Sequence, residues 1–336
     1  MIASVAELEE LLSRPTEGDR AAMAALDGDM LILGVGGKMG PTLALRARRA
    51  APPGKRIIAA ARFSEPGLRE QLEQAGIDCF KADLLNPAQL AALPDVANVV
   101  AMFGRKFGST EDPTLTWAMN VYAPGMVCER YKASRIVAFS SGNVYGYSHV
   151  ARGGSVETDE TFPVGEYAWT GLGRERIYDY HSRRNNTPTM LLRLNYAIDL
   201  RYGVLLDIGT RVFERKPVDL AMGAANVIWQ GDANSVALRA FPYTTAPATV
   251  LNLTGPETLS VRRIADTIGH HLGIKPEFTG VESTDALLNN AQRCHRLFGY
   301  PTVTPDEMLE WTARWIAMGG ATLNKPTHFE ARDGKF

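Results

Sequence analysis

Ser141 and Tyr167 are the side chains best suited to move a proton on a bound ligand. Ser141 lies in the run Phe139 to Gly146, directly after a predicted strand, and Tyr167 stands at the start of a predicted helix. A serine hydroxyl binds ligand oxygens, and a phenol donates or accepts a proton. Because the ordinary pKa of a phenol is about 10, proton transfer near neutral pH requires a neighbouring cation.

The segment from Asp29 to Gly40 joins an apolar strand, Met30 to Leu33, to a cluster of glycines. Glycines allow a tight turn and a close approach of the backbone to a ligand. The helix that follows presents unpaired N–H groups and the positive end of its dipole, with Pro41 in its first turn. With a helix and a second apolar strand behind it, the segment has the spacing of a βαβ unit. It predicts a cradle for a cofactor pyrophosphate, formed by Gly34, Gly36, Gly37, Lys38, Met39 and Gly40.

The residue after the second strand indicates which ribose such a cofactor carries. An acidic side chain there binds a free 2′-hydroxyl group and repels a 2′-phosphate. The predicted strand Arg56 to Ala61 is followed by Arg62, and Lys38 offers a second cation facing the phosphates. NADP therefore fits this sequence better than NAD. Asp83 and Leu84 follow the third predicted strand, where the carboxylate either accepts from the adenine amino group or caps a turn or helix.

Short apolar strands alternate with helices up to Asn195, and six strands are predicted in this part of the chain. This alternation is typical of an α/β fold with a doubly wound parallel sheet, the Rossmann arrangement. Beyond Asn195 the rhythm changes, which predicts a smaller C-terminal substrate-binding part. The predicted division is residues 1–28 as an N-terminal helical extension, 29–195 with 225–254 as the dinucleotide-binding domain, 196–224 with 255–325 as the substrate-binding part, and 326–336 as a C-terminal tail.

The composition favours a small, roughly neutral ligand. The 336 residues include 36 basic and 37 acidic side chains, so no overall charge favours nucleic acid or a membrane surface as a partner. No apolar run is long enough to span a membrane, and the N-terminus does not have the pattern of a signal peptide. Three scattered cysteines indicate a reduced, cytoplasmic setting, and the six histidines show no metal-binding spacing, so we expect no metal.

Taken together, these motifs resemble the extended short-chain dehydrogenase/reductases, the NAD(P)-dependent sugar epimerase/dehydratase family. The resemblance covers nearly the whole chain and rests on Gly34, Gly37 and Gly40, the stretch Ser141 to Gly146, Asn120 and Tyr167. It implies that Tyr167 is the general acid/base, that Ser141 binds the substrate oxygen undergoing redox change, and that Asn120 supports a proton-relay water. It also implies a homodimer formed through helices, for which Met119, Tyr122, Met126 and Ile177 supply apolar groups.

The sequence departs from this family at Gly171, where the family has a lysine four residues after its tyrosine. That lysine supplies the cation for the phenol and holds the nicotinamide ribose. We expect Arg174 to replace it, because Arg174 lies seven residues after Tyr167 and returns to the same helix face. The alternative donors are Lys106 and Arg105, in the loop after the fourth strand. Alternatively, Gly171 indicates a site that binds the cofactor but catalyses no reaction.

The remaining candidates lie in loops at the carboxyl edge of the predicted sheet, where open α/β sheets bind their ligands. Phe103, Gly104, Ser140, Tyr167 and Asn195 are expected to contact the cofactor. Substrate contacts are expected from Arg105, Lys106, Ser141, Asn143, Asn195, Arg201 and Tyr202. The basic members of this set suit a carboxylate or phosphate on a small polyol or sugar acid.

The predicted function is that of an NAD(P)-dependent oxidoreductase or epimerase acting on a hydroxyl of a sugar, sugar acid or nucleotide sugar. After Asn195 and around Trp229 to Asp232 the sequence matches the family's motifs only in part. These segments therefore favour a nucleotide sugar less strongly than the family name does. The alternative is a non-catalytic NAD(P)-binding sensor with the same fold.

Overall fold

A seven-stranded parallel sheet forms the centre of the molecule, seen in a computed structural model that describes residues 2–325 and 327–335. Its spatial order is β3, β2, β1, β4, β5, β6, β7, so the chain winds outward from β1 in both directions. All neighbouring strands run parallel, which confirms the predicted doubly wound α/β fold. The strands are β1 (Met30–Leu33), β2 (Ile57–Ala61), β3 (Asp78–Lys81), β4 (Asn98–Ala101), β5 (Arg135–Ser141), β6 (Thr189–Leu194) and β7 (Thr249–Leu253).

Both faces of this sheet are covered, as expected for parallel strands. Met30 and Ile32 of β1 pack in one hydrophobic cluster, whereas Leu31 and Leu33 pack in another. The helices are α1 (Val5–Ser13), α2 (Glu17–Ala25), α3 (Gly40–Ala50), α4 (Leu68–Gln74), α5 (Pro87–Ala91), α6 (Pro113–Trp117), α7 (Ala123–Arg130), α8 (Glu166–Asn185), α9 (Val204–Phe213), α10 (Gln230–Arg239), α11 (Val261–Leu272), α12 (Gln292–Phe298) and α13 (Pro305–Ala317).

The long helix predicted near Pro113 to Tyr131 is divided into three consecutive segments. Between α6 and α7 the residues Ala118–Tyr122 form a π-helical turn. Such a turn inserts one extra residue into the helical repeat and often occurs at functional sites. It contains Asn120, whose side chain is fully buried.

The N-terminal extension packs on its own chain. Asp19 of α2 forms a buried ion pair with Arg46 of α3 at 2.7 Å, and also accepts a hydrogen bond from Ser235 of α10. Leu8 and Leu12 of α1 are buried in the hydrophobic cluster of the C-terminal part. The extension thus ties the C-terminal part to the sheet.

A separate hydrophobic cluster lies in the C-terminal part, where α9, α11 and α13 pack together. Helix α13 starts with the predicted capping box: the Thr304 side chain accepts from the Glu307 amide, and the Glu307 carboxylate accepts from the Thr304 amide. Short two-stranded pairs complete this part, among them Ala197–Ile198 with Ile228–Trp229. No helix within residues 2–325 and 327–335 is long and apolar enough to cross a membrane.

Candidate active site

A cavity of about 590 Å³ opens at the carboxyl ends of the parallel strands. It is bounded by the glycine turn after β1, by the loops after β2, β4, β5 and β6, and by the start of α8. Parallel strands bring these loops to one edge of the sheet, and this is the ligand-binding edge of open α/β sheets. Residues far apart in sequence, such as Gly36, Ser141 and Tyr167, therefore line one cavity.

Glycines of the turn serve two different purposes. Gly34 has a φ of +85°, and an added Cβ at Gly40 would lie 2.1 Å from the Val35 carbonyl oxygen, so both positions require glycine for the fold. Gly36 and Gly37 line the cavity, and an added Cβ at either would meet protein atoms only at 3.5 Å or more. Protein packing alone does not demand glycine there. Their missing side chains leave open a cradle that fits a dinucleotide pyrophosphate.

Arg62 and Asp83 line the opposite end of the cavity from the substrate loops, beside the ends of β2 and β3. Ser64, which no sequence pattern indicated, lines the same end, as does Leu84. The Asp83 carboxylate accepts a hydrogen bond from the Leu85 amide at 3.0 Å, so it has a turn-forming role in addition to its place in the cavity. No other acidic side chain among the described residues lines the cavity.

Ser141 and Tyr167 are brought together as predicted, since both line the cavity. Ser141 is the last residue of β5, and its hydroxyl donates to the Asn143 side-chain oxygen at 3.0 Å. Tyr167 is the second residue of α8, so its position is set by the start of that helix. Asn143 also lines the cavity. The site therefore presents a hydroxyl, a phenol and an amide toward one enclosed volume.

Asn120 has a different environment from the one predicted, because its side-chain amide forms hydrogen bonds with other protein groups. Its oxygen accepts from the Arg105 amide and from the Arg174 guanidinium, and its nitrogen donates to the Arg105 carbonyl and to Thr170. The amide is thus fully bonded and does not line the cavity. This arrangement holds the loop after β4 against α8, which differs from the predicted support of a relay water.

Arg174 lines the cavity, but all of its nitrogens donate to protein oxygens. They bond to the Asn120 carbonyl at 3.3 Å, the Asn120 side-chain oxygen at 2.8 Å and the Phe139 carbonyl at 2.9 Å. A Cβ added at Gly104 would lie 2.3 Å from this guanidinium, so glycine at that position makes room for it. Arg174 and the neighbouring Glu175 are both buried.

The Lys106 side chain lies beside the Tyr167 ring. Its ammonium nitrogen lies 6.0 Å from the centre of the Tyr167 ring and 5.8 Å from that of Phe107. Burial lowers the pKa of Lys106 to about 8, although the negative charge of Asp207 opposes this shift. Gly171, at the family's lysine position, faces Val144 and not the cavity.

Lys38 also reaches the substrate end of the cavity. Its ammonium donates to the Ala197 carbonyl at 2.6 Å and lies 4.3 Å from the centre of the Tyr202 ring. Burial lowers the pKa of Lys38 to about 7; the charge of Asp199 opposes this, and those of Lys106 and Arg201 reinforce it. The side chain therefore points across the cleft toward the segment after β6, whereas we predicted a contact with the cofactor phosphates.

Two predicted substrate residues, Arg201 and Arg105, lie outside the cavity wall. Arg201 pairs with Asp199 through two nitrogens and with Glu9 of α1 at 2.9 Å, and it does not line the cavity. It joins the N-terminal extension to the C-terminal part, because two carboxylates already satisfy its charge. Arg105 donates to the Gly108 carbonyl at 3.1 Å within its own loop and is likewise absent from the cavity wall.

Other predicted residues line the cavity while their polar groups bond to protein. The Ser140 hydroxyl donates to Glu175 at 2.6 Å, and Glu175 forms a buried ion pair with Arg193 of β6 at 2.7 Å. The Asn195 side chain donates to Asn226 at 2.7 Å. Phe103, Gly104, Met39 and Tyr202 line the cavity, whereas Gly40 does not. Met119, predicted to serve a dimer interface, lines the cavity as well.

The C-terminal segment forms a wall that the sequence analysis missed. Leu323, Lys325 and Thr327 line the cavity. The Thr327 amide donates to the half-buried Asp207 carboxylate at 2.7 Å, and Phe329 is buried in the C-terminal core. Of the predicted tail 326–336, residues 326 and 336 lie outside the described residues. No periodicity in this polar segment reveals its place, because long-range contacts alone determine it.

Comparison with known proteins supports the assignment that this geometry suggests. The profile of the NAD dependent epimerase/dehydratase family matches residues 30–197, which is half of the chain. The chain belongs to this family. It is accordingly an enzyme of the extended short-chain dehydrogenase/reductase type, with the Rossmann fold described above. No curated protein sequence matches it.

Solved structures of similar fold cover most of the chain. A UDP-glucuronic acid 4-epimerase variant from Bacillus cereus, in complex with a UDP-sugar analogue and NAD, is 18% identical, with a TM-score of 0.72 over 86% of this chain and 99% of that one. A UDP-galactose 4-epimerase is 20% identical, with a TM-score of 0.70 over 87% and 99%. A UDP-glucose 4-epimerase from Thermotoga maritima is 13% identical, with a TM-score of 0.70 over the same shares. At these identities the likeness concerns the fold.

Proposed function

We propose that the protein is an NADP-dependent oxidoreductase or epimerase that acts on a hydroxyl group of a sugar, sugar acid or nucleotide sugar. The observation that carries this proposal is the shared cavity: Ser141 and Tyr167 line the same volume as the open glycines Gly36 and Gly37. A cofactor seated on the glycine turn would extend along this cavity toward the phenol. The named structural neighbours, which are UDP-sugar 4-epimerases, support sugar chemistry.

Tyr167 and Ser141 would divide the work on the reacting hydroxyl. When bound, the nicotinamide supplies the acceptor for a hydride from the substrate carbon that carries the hydroxyl group. Tyr167 takes the hydroxyl proton as the C–H bond is lost, so that a carbonyl group remains. The Ser141 hydroxyl would turn from the Asn143 side-chain oxygen to donate a hydrogen bond to the carbonyl oxygen. Tyr167 returns a proton to that oxygen when the carbonyl is reduced again. An epimerase and a dehydrogenase differ in whether this return takes place before the product leaves.

Lys106, and not Arg174, is proposed as the cation that stabilises the phenolate of Tyr167. The Lys106 ammonium lies 6.0 Å from the Tyr167 ring centre, whereas the Arg174 guanidinium is held by the Asn120 and Phe139 oxygens. An opposite charge at this separation favours the ionised form of an acid. Arg174 then acts as a positioning residue that fixes the loop after β4.

NADP is preferred over NAD in this proposal. Arg62 and Ser64 both line the adenosine end of the cavity, and the residue after β2 is not a carboxylate. A guanidinium and a hydroxyl suit a 2′-phosphate, whereas a free 2′-hydroxyl is usually held by an acidic side chain. Asp83 lies after β3, one strand further out, so its carboxylate does not take that place.

The test combines cofactor spectroscopy with product analysis. The protein would be incubated with NADP⁺ or NADPH and a panel of sugars, sugar acids and sugar nucleotides, with the reduced nicotinamide followed by absorbance. Because an epimerase recycles its hydride, chromatography of the products must accompany the optical assay. Tyr167→Phe is expected to lower turnover by a factor of 100 or more. The exposed Tyr300→Phe is the matched control and should retain wild-type turnover.

A cofactor-binding sensor is the second candidate, favoured by the glycine at position 171. This candidate predicts tight cofactor binding with no product from any member of the panel. Tyr167→Phe would then bind the cofactor as the wild type does, and its products would remain equally absent. Product formation that depends on Tyr167 excludes the sensor.

A homodimer is part of the proposal. A groove of about 700 Å³ lies on α6, α7, α8 and the π-helical turn between them, lined by apolar side chains that include Tyr122, Met126 and Ile177. Trp117 is 43% exposed and Tyr122 is 61% exposed on this surface. A second copy of the chain would bury them. Light scattering should give twice the chain mass, and Tyr122→Glu should shift the protein toward the monomer.

A further inference from the structure

The Lys38 side chain joins two opposite walls of the cavity. Lys38 belongs to the glycine turn after β1, and its ammonium donates to the carbonyl of Ala197, which follows β6, at 2.6 Å. The order of strands in the sheet is β1, β4, β5, β6, so this bond spans the ends of two intervening strands. A hydrogen bond from a charged donor is stronger than one between neutral groups. The contact is therefore a bridge across the cavity, which we call the Lys38 bridge.

An aromatic pair supports the ammonium end of the bridge. The Lys38 ammonium lies 4.3 Å from the centre of the Tyr202 ring, which is close enough for a cation–π contact. Tyr202 meets Phe107, in the loop after β4, edge to face with the ring centres 6.1 Å apart. Phe107 lines the cavity and is 38% exposed, so the aromatic pair lies at the rim of the cavity. Three loops thus meet at the Lys38 bridge.

The wall that accepts the bridge has its own hydrogen bonds and does not depend on Lys38. The strand Ala197–Ile198 pairs with Ile228–Trp229. Asp199 and Tyr202 exchange two backbone hydrogen bonds, at 2.9 and 3.3 Å. The Lys38 ammonium, in contrast, stands at the end of a flexible four-carbon chain. Opening of the bridge therefore requires movement of this side chain and not of the wall.

The bridge crosses the part of the cavity that a bound dinucleotide has to occupy. Gly36 and Gly37, which leave open the cradle for the pyrophosphate, are exposed. In the proposed function the nicotinamide half extends from this cradle to Ser141, the last residue of β5, and to Tyr167. The end of β5 lies between the two ends of the bridge. The nicotinamide half and the Lys38 side chain therefore share one stretch of the cavity, whereas the cradle is open to solvent.

We infer that the Lys38 bridge is a gate for the cofactor: it opens when the nicotinamide half enters or leaves, and it closes again over the bound dinucleotide. This inference rests on the proposed function and adds how the site controls exchange of its cofactor. Lys38 is then a positioning residue that acts through the Ala197 segment and not a ligand of the cofactor phosphates. The two roles differ in their kinetics, because a gate slows binding and release alike, whereas a ligand slows release.

Stopped-flow fluorescence of NADPH with the full chain tests the gate without requiring turnover. Association is followed on mixing, and release is followed by displacement with excess NADP⁺. Lys38→Met keeps the length of the side chain and removes the donor, so it should raise both rate constants about tenfold and change the dissociation constant less than about threefold. Lys38→Arg keeps a charged donor and should exchange NADPH slowly, as the wild type does. The exposed Lys275→Met, outside the cavity wall, is the control and should change neither rate constant.

Several outcomes would overturn the gate. Faster release from Lys38→Met with unchanged or slower association would make Lys38 a ligand of the bound cofactor. Rate constants equal to those of the wild type, or no binding of either NADPH or NADH, would also overturn it. Calorimetry with 2′,5′-ADP, which lacks the nicotinamide half, should give equal affinities for the wild type and Lys38→Met, and weaker binding by the variant contradicts the gate. Faster NADPH exchange in Lys38→Met without any product in the turnover assay would retain this inference and reject the proposed reaction.

Discussion

Replacing Lys106 by methionine should shift the pH dependence of the reaction. The Lys106 ammonium lies 6.0 Å from the Tyr167 ring centre. The phenolate charge sits on the oxygen, off the ring centre, so the two charges are separated by roughly 4–9 Å; at an effective dielectric constant of about 20 they interact by about 2–4 kcal/mol, which equals about one to three pH units. Solvent at this half-buried lysine screens part of that energy, so we expect a shift of one to two units.

The direction of the shift follows from the two ionisations. Burial lowers the pKa of Lys106 to about 8, so the side chain is charged below that pH and loses its charge as the pH rises through it. A charged Lys106 favours the phenolate needed to accept a proton. In Lys106→Met the rising limb of the kcat profile should therefore move to higher pH, and turnover at pH 7 should fall about ten- to hundredfold.

The assay is the pH dependence of kcat at saturating substrate, measured by product formation between pH 5 and 10. Saturating substrate separates an effect on proton transfer from any effect on substrate binding. Lys106→Arg retains the charge and should restore most of the wild-type rate. A Lys106→Met profile that superimposes on the wild-type profile would refute Lys106 as the cation for Tyr167.

Three further perturbations test other parts of the site. Arg174→Ala removes a buried guanidinium and leaves the Asn120 and Phe139 oxygens without their donor, so it should lower the free energy of unfolding by about 1–3 kcal/mol in urea titrations; an unchanged free energy of unfolding contradicts its positioning role. Gly36→Ala should keep wild-type stability, since an added Cβ meets only the Ala61 Cβ at 3.6 Å, yet raise the NADP⁺ dissociation constant at least tenfold; unchanged binding contradicts the cradle. Arg62→Ala should weaken NADP⁺ binding about tenfold and leave NAD⁺ binding unaffected in fluorescence titrations, and an equal effect on both would contradict the 2′-phosphate contact.

Local patterns were sufficient to predict the sheet. Short apolar runs such as Met30 to Leu33 alternate with amphipathic helices, and the resulting strand order is a regular doubly wound arrangement. The π-helical turn at Ala118–Tyr122 was not predicted, because its extra residue leaves no mark in the apolar periodicity. Asn120 in this turn bonds to the backbone of the loop after β4, and these contacts form only in the folded chain.

Site residues were predictable where the residue type and its position at the edge of the sheet are enough to place it in the cavity. Ser141, Tyr167 and the turn glycines belong to this group, and all but Gly40 line the cavity. Charged residues were less predictable, because their direction depends on partners distant in sequence. Arg201 pairs with Glu9, and Lys38 crosses the cleft to Ala197. Neither partner could be identified from spacing.

The roles of Tyr167 as proton carrier and of Lys106 as its cation are tested most directly by a crystal structure of the protein with NADP⁺ and a sugar acid bound. We predict that the Tyr167 oxygen lies within hydrogen-bond distance of the substrate hydroxyl, next to the nicotinamide ring, with the Lys106 ammonium on the same side. A complex in which Tyr167 lies far from the nicotinamide, with neither Lys106 nor another cation beside it, would contradict the account.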